Sequence, residues 1–177
     1  MEKRVAIFCS SNENIDPAYN EAARALTRAL CEAGYTILSG GSWRGTMGVV
    51  SDEVVRCGGR HIGVLPRFME RFAYDNLTDM QWTETMARRK ELMREGTVAV
   101  IALPGGIGTL DELIETHVLS KLGRYDGKLF ALNVGGFYEP VKALFQHYVD
   151  TGMTHPDDAA RVVFADSVEA LMEALQV

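Results

Sequence analysis

Short apolar runs alternate with amphipathic stretches along almost the whole chain, and this alternation constrains the fold more than any other feature. The apolar runs read RVAIFC, YTILSG, HIGVLP, TVAVIALP, KLFALNV and RVVFA. Runs that are apolar at consecutive positions are typical of strands buried on both faces of a parallel sheet. The pattern therefore predicts an α/β fold with a doubly wound, mostly parallel sheet of six strands and helices on both faces.

The length of the chain favours one domain. Its 177 residues, 47% hydrophobic and 24% charged, can bury one substantial core, whereas two domains would each be small. We therefore predict a single domain over residues 1–177. Residues 68–81 form the longest stretch without a clear pattern, which predicts either a lid or binding loop or a short irregular helix.

Charge and cysteine usage narrow the partners and the compartment. The net charge of -6 arises from acids and bases mixed along the chain, which argues against a nucleic-acid partner. Cys9, Cys31 and Cys57 are odd in number and lack CxxC spacing, so we expect reduced, mostly buried thiols. No signal-peptide pattern and no apolar run of the ~20 residues that span a bilayer occur. We expect a cytoplasmic protein without a membrane partner.

Three glycines and a threonine follow the fourth apolar run, in the segment LPGGIGTLDELIE. Gly105, Gly106 and Gly108 permit close approach to the backbone, and Thr109 places a hydroxyl at the start of a predicted helix. Free N–H groups of a first helical turn, with the positive end of the helix dipole, bind anions. The segment therefore predicts either a phosphate site or a plain strand-to-helix turn.

Two other strand exits are chemically unusual. The second apolar run ends in SGGSWRGTMG, which contains Gly40, Gly41 and Gly45, and Ser10 follows the first run. Because ligands of doubly wound sheets bind beyond the carboxyl ends of the strands, these turns predict one pocket. Neither glycine turn fits the dinucleotide fingerprint after the first strand, and neither carries a Walker lysine. We therefore expect no NAD, ATP or other cofactor.

Three carboxylates follow the glycine segment on its predicted helix, and two of them stand three residues apart. Thr109, Glu112 and Glu115 recur every three residues and share a face that begins at the predicted anion site. An acid near a helix start also stabilises the helix by opposing its dipole, which is the structural alternative for Glu112. The apolar stripe predicted to face the sheet contains Leu110, Leu113, Ile114, His117 and Val118.

The segment TETMARRKELM places two cations on the apolar face of another predicted helix. Met86, Arg89, Lys90 and Met93 stand at i, i+3, i+4 and i+7. Their long stems allow both cations to lie at the edge of a core with their charges in water. The functional alternative is that Arg89, as a bidentate fork, and Lys90, as a point charge, contact an anionic ligand or hold Glu112 ionised.

Other common catalytic patterns are missing from the sequence. The histidines lack the spacing of a metal site, so we expect no catalytic metal. No GxSxG nucleophile elbow occurs. A carboxylate, cations and a phosphate cradle together indicate chemistry on a phosphorylated sugar.

Five segments resemble motifs of one enzyme family. PGGIGTLDE resembles the PGGxGTxxE signature of the Lonely Guy (LOG) family, the cytokinin riboside 5'-monophosphate phosphoribohydrolases, which older usage often calls lysine decarboxylases. FCSSNENIDPAYNEAA, GGSWRGTMG, GGRHIGVLP and MARRKELM resemble further motifs of that family, in the same order. The chain departs from those motifs at Ser42, Thr46 and Ala87, where the family usually has Gly, Leu and His.

The resemblance implies a Rossmann-like hydrolase that needs no metal. Its substrate would be a nucleoside 5'-monophosphate, such as a cytokinin riboside monophosphate or AMP, cleaved at the N-glycosidic bond to free base and ribose 5-phosphate. Glu112 and Arg89 would be catalytic. Substrate or phosphate contacts are expected from Ser10, Gly40, Gly41, Gly45, Met86, Lys90, Gly105, Gly106, Gly108, Thr109 and Glu115.

The resemblance also implies a homodimer with the site near the subunit interface, and the many apolar positions of LIETHVLSKLGRY agree with that. Two alternatives stay open. One is a broad-specificity nucleotide nucleosidase without a role in cytokinin formation. The other is a non-catalytic carrier of a nucleotide or of molybdenum cofactor, which would need the phosphate cradle but not the acid.

Overall fold

The computed structural model describes residues 2–176. The strands are β1 (Arg4–Phe8), β2 (Thr36–Ser39), β3 (His61–Pro66), β4 (Asp79–Thr83), β5 (Thr97–Ala102), β6 (Lys128–Leu132) and β7 (Val162–Ala165). The α-helices are α1 (Pro17–Glu32), α2 (Gly45–Arg56), α3 (Met86–Arg94), α4 (Ile107–Lys121), α5 (Glu139–Asp150), α6 (Pro156–Ala159) and α7 (Val168–Gln176). Two 3-10 segments lie at Arg67–Phe72 and Val134–Gly136. Over these residues, no helix is both long and apolar enough to cross a bilayer.

The strands form one sheet in the order β4-β3-β2-β1-β5-β6-β7, and every neighbouring pair is parallel. The chain starts at the middle of the sheet, builds one half outward to β4, and returns to the other side of β1 with β5. The predicted doubly wound α/β fold is therefore confirmed. The loops after β1 and β5 leave the sheet in opposite directions, which opens a crevice between them.

The predicted number of six strands is wrong, because β4 is a seventh. This strand pairs with β3 along its whole length and forms one edge of the sheet. Its sequence, DMQWT, is not an apolar run, and four of its five residues are partly or fully exposed. The 3-10 segment Arg67–Phe72 matches the short irregular helix that was one alternative for residues 68–81.

Strand alternation divides the core into two layers, as the β1 side chains show. Val5 and Ile7 pack on the face covered by α1, α2 and α7. Ala6 and Phe8 pack on the opposite face, against α3, α4 and α5. Helices therefore cover both faces, as predicted. All three cysteines are free, but only Cys9 is buried and Cys31 and Cys57 are partly exposed, which corrects the expectation of mostly buried thiols.

Helix α4 turns both polar and apolar side chains to the sheet, so the predicted stripe is only partly right: Leu113 and Ile114 pack in the core, but Thr109, Glu112 and Thr116 are buried as well. Its buried residues are Thr109, Glu112, Leu113 and Thr116. The Thr116 hydroxyl donates to the Glu112 carbonyl at 2.7 Å, so its polar group is satisfied inside the helix. Of the predicted stripe only Leu113 is fully buried, and Val118 is 48% exposed. The helix thereby directs Glu112 inward and leaves apolar side chains on its outer surface.

Candidate active site

A cavity of about 350 Å³ lies at the crevice between the β1 and β5 loops. The predicted site residues that line it are Ser10, Gly40, Met86, Arg89, Gly106, Gly108, Thr109 and Glu112. The three strand exits selected from the sequence, after β1, β2 and β5, therefore meet at one cavity.

The N-terminus of α4 is open towards this cavity. Gly106 is its N-cap residue, and no side chain caps the helix. The first N–H groups therefore have no partner within the helix, and the residues that carry them, Ile107, Gly108 and Thr109, line the cavity. A Cβ at Gly106 or Gly108 would meet no atom within 4 Å, so these glycines leave open space above the helix. Gly105 serves loop packing instead, because a Cβ there would collide with the Thr109 side chain.

Glu112 and Arg89 form a buried ion pair in the cavity wall. Arg89 Nη1 donates to Glu112 Oε1 at 2.6 Å, and the two side chains are 11% and 10% exposed. Arg89 Nε donates to the Val64 carbonyl at 3.0 Å, which anchors the guanidinium to β3. A Cβ at Gly40 would lie 2.5 Å from Arg89 Nη2, so a glycine is needed there for the guanidinium to fit. Residues from three separate segments thus hold one carboxylate in a defined position.

Burial raises the pKa of Glu112 above its ordinary value of 4.5, although the charge and hydrogen bond of Arg89 oppose the shift. A carboxyl group with a raised pKa exchanges protons closer to neutral pH, which suits a general base. Cys9 lines the same cavity, and burial together with the nearby Glu112 charge raises the pKa of its thiol. The thiol is therefore neutral and poorly suited to act as a nucleophile.

Lys90 and Glu115 do not line the cavity. Lys90 contacts Glu115 and lies 3.0 Å from Asp111 Oδ2, and Arg94 Nη2 lies 3.0 Å from Glu115 Oε1. The hydrogen bond to Glu115 is the main reason that the pKa of Lys90 is raised. These pairs join α3 to α4 and so hold Arg89 and Glu112 in register.

The geometry of a helix explains why Glu115 leaves the site. Each residue turns the helix by about 100°, so a step of three residues falls about 60° short of a full turn. Glu115 therefore lies about 120° around the helix from Thr109, and the predicted shared face ends at Glu112.

Gly41 and Gly45 support the cavity from behind rather than lining it. Gly41 has φ +67°, and a Cβ there would lie 3.1 Å from the Gly63 Cα, so β2 and β3 approach closely at this point. Gly45 has φ +54°, and a Cβ there would press on the backbone of Ser11 and Asn12, which do line the cavity. Direct substrate contact was predicted for both glycines, but neither lines the cavity.

Several residues of the site had no clear signal in the sequence. Met47 and Met69 line the cavity, the latter from the segment without a pattern. Tyr138 lies behind the glycine segment, where its hydroxyl donates to the Leu103 carbonyl at 2.7 Å. Its position in the turn after β6, another strand exit, is the signal that could have identified it.

The three departures from the LOG motifs lie outside the cavity lining. The Ser42 hydroxyl accepts a hydrogen bond from the Arg44 N–H at 3.1 Å, and the Thr46 hydroxyl donates to Asn20 Oδ1 at 2.9 Å. Ala87 is exposed on the first turn of α3. Over residues 2–176, no cluster of three His, Cys, Asp or Glu side chains could hold a metal ion.

The sheet order and the cavity at the crevice define a doubly wound α/β protein with a Rossmann-like fold. Two solved structures share it, both with a TM-score of 0.76. The molybdenum cofactor binding protein of Rippkaea orientalis is 21% identical, and the match covers 99% of this chain and 96% of that one. The molybdenum cofactor carrier protein of Chlamydomonas reinhardtii is 19% identical, with 99% and 97% covered.

Sequence comparison identifies the family. The family model described as "Possible lysine decarboxylase" matches residues 47–175. A cytokinin riboside 5'-monophosphate phosphoribohydrolase of Arabidopsis thaliana is 34% identical over 177 residues, which cover 98% of this chain and 81% of the relative. The enzyme of that name from Mycobacterium marinum is 31% identical over 172 residues, with 96% and 91% covered. The chain belongs to this family, the Lonely Guy family, as its motifs indicated.

Proposed function

We propose that the chain hydrolyses the N-glycosidic bond of a nucleoside 5'-monophosphate, of the cytokinin riboside or AMP type, and releases the free base and ribose 5-phosphate. The observation that carries this proposal is the position of Glu112. It is a buried carboxylate one turn below the uncapped N-terminus of α4, and both border one cavity. The names of the curated relatives support the same reaction.

The geometry suits a phosphate at one end of the substrate and a carboxylate at the sugar. The free N–H groups of α4 and the Thr109 hydroxyl would bind the 5'-phosphate, where the helix dipole favours negative charge. This places the ribose near Glu112. Binding energy from the phosphate would then orient the sugar in the transition state.

Glu112 would act on water and on developing positive charge. As the bond between C1' and the base nitrogen breaks, its electron pair leaves with the base and the sugar gains oxocarbenium character. The carboxylate stabilises this charge and accepts a proton from the attacking water, whose oxygen bonds to C1' while the departing base takes up a proton. Arg89 engages Oε1 of Glu112 and orients the group.

A carrier function is the competing proposal, since two molybdenum cofactor proteins share the fold. A carrier requires the open helix N-terminus but gains nothing from a buried carboxylate in the same cavity. The Arg89–Glu112 pair therefore favours the enzyme. A nucleosidase of broad specificity would use the same groups, and it differs only in the bases accepted.

A product assay on a matched pair of variants tests the proposed function. Wild-type protein is incubated with AMP and with N6-isopentenyl AMP, and the free base and ribose 5-phosphate are quantified. Glu112→Gln keeps the shape but removes the charge, so turnover should fall by roughly two to four orders of magnitude while nucleotide binding persists. Glu91→Gln, an exposed carboxylate of α3 outside the cavity, should retain activity. Tight binding without base release by the wild type would instead establish a carrier.

We further propose that the protein is a cytoplasmic homodimer. Three free cysteines suit a reducing compartment. The outer surface of α4 and of its C-cap residue exposes Ile107, Val118 and Leu122 at 83%, 48% and 62%, which is typical of an interface. Ile107 also lines the active-site cavity, so a second subunit on this surface would border the site.

A further inference from the structure

A second, smaller cavity lies beside the candidate active site, and nothing in the proposed reaction uses it. Its volume is about 190 Å³. It shares Ser10, Asn12 and Gly106 with the active-site cavity, so the two spaces meet at the N-terminus of α4. We call it the side cavity; its remaining lining residues are Ile15, Tyr19, Pro104, Gly105 and Phe137.

The walls of the side cavity are fixed by packing. The rings of Tyr19 and Phe137 meet edge to face, with centroids 5.4 Å apart and planes at 75°. Phe137 also packs edge to face on Tyr138, at 5.0 Å and 84°. Tyr138 is in turn tied to the Leu103 carbonyl by its hydroxyl. The aromatic wall and the glycine segment are therefore held together as one unit.

The chemistry of the lining selects an uncharged, apolar occupant. None of the eight lining residues is Lys, Arg, His, Asp or Glu, so a second phosphate placed there would find no cation. Ser10 and Asn12 lie where the two cavities meet, and the aromatic and aliphatic walls beyond them favour a planar ring, which can stack on them or meet them edge to face. A dry apolar cavity of ~150 Å³ holds benzene, so the available volume is sufficient for one ring.

We propose that the side cavity binds an aromatic group carried as a second ester on the 5'-phosphate of the nucleotide. This rests on the proposed function, because a phosphate at the N-terminus of α4 is what joins the two cavities. The ligand class is a nucleoside 5'-phosphodiester with one aromatic ring. Hydrolysis at C1' is unchanged for such a ligand, and the sugar product keeps its phosphodiester.

The test compares two esters of AMP, adenosine 5'-(phenyl phosphate) and adenosine 5'-(methyl phosphate). Both carry one negative charge on phosphorus, so their difference isolates the ring. Affinity is measured by calorimetry, which needs no turnover. Burial of a phenyl ring predicts that the phenyl ester binds about 10- to 100-fold tighter than the methyl ester.

A substitution that fills the side cavity tests whether the phenyl ring binds there. Ile15 lines the side cavity but not the active-site cavity. Ile15→Trp should abolish the preference for the phenyl ester and leave AMP turnover unchanged, whereas Ile15→Leu should retain the preference. Equal affinities of the two esters for the wild type would overturn the proposal, and so would a phenyl preference that survives Ile15→Trp. Binding of AMP without base release would defeat the proposed function alone, since the ester comparison would still stand.

Discussion

The ionisation of Glu112 depends on the balance between its burial and nearby cations, of which Arg89 has the largest effect. Burial raises its pKa, and the Arg89 hydrogen bond at 2.6 Å works in the opposite direction. If the reaction needs the carboxylate, activity is lost as the pH falls through this pKa, so the acid limb of kcat/KM should lie above pH 4.5, the ordinary value. Arg89→Met removes the opposing charge and should move this limb to higher pH.

A substitution at Arg88 is the control for the pH dependence of kcat/KM in Arg89→Met. Arg88 neighbours Arg89 but is exposed and pairs with Glu91 at 2.9 Å. Arg88→Met should keep the wild-type limb. An Arg89→Met profile with the same acid limb as the wild type would show that Arg89 does not set the ionisation of Glu112.

His61 is a buried titratable residue outside the active-site cavity. It is 1% exposed, its Nε2 lies 2.7 Å from the Ser39 hydroxyl, and burial lowers its pKa from 6.5 to about 4. The unfolded chain therefore binds a proton first as the pH falls, and the free energy of unfolding decreases between pH 6.5 and about 4. Integrated over that range the loss is about 3 kcal/mol.

Urea unfolding of the wild type and of His61→Gln, measured from pH 7 down to pH 4.5, isolates this effect. His61→Gln should show a shallower decline in stability, because it has no group to protonate on unfolding. His155→Gln changes an exposed histidine and should keep the wild-type slope. If the free energy of unfolding falls equally with pH in the wild type and in His61→Gln, protonation of His61 is not the cause of the decline.

At the scale of elements, α4 performs two tasks with opposite faces. Its inner face carries Thr109 and Glu112, whereas Val118 on its outer face and Leu122 at its C-cap are exposed. We therefore predict that the double variant Val118→Asp, Leu122→Asp dissociates the proposed dimer, because a charge in an apolar interface loses its hydration. Light scattering coupled to gel filtration measures the mass directly.

Leu144→Asp is the matched control, since Leu144 is 45% exposed on a different helix, α5. It should remain a dimer. If the wild type is monomeric at every concentration, or if the double variant stays dimeric, α4 does not form a dimer interface.

For the whole molecule, the sequence predicted the parallel sheet from its buried strands and the shared pocket from the loops that follow three of them. Six strands were evident from their apolar runs, of which five lie inside the sheet and β7 forms one edge, whereas β4 at the other edge lacks such a run. Ser10, Gly40 and Glu112 could be assigned to one pocket because parallel strands bring their carboxyl ends together. That residues 1–177 form one domain stays a prediction, which a single cooperative unfolding transition would support.

What could not be predicted depends on the angular position of side chains and on long-range partners. Lys90 follows Arg89 directly, yet it turns to Asp111 and Glu115, and only the relative placement of α3 and α4 decides this. Tyr138 reaches Leu103 across 35 residues of sequence through a hydrogen bond that no local pattern encodes.

We propose that the N-terminus of α4 binds a 5'-phosphate and that Glu112 acts on the attached ribose. The most direct test of this proposal is the ratio of kcat/KM for AMP and for adenosine with the wild-type protein, measured as adenine released. Binding energy from the phosphate should lower the barrier to cleavage at the sugar, so we expect AMP to react at least about a thousandfold faster than adenosine. Equal rates for the nucleotide and the nucleoside would contradict it.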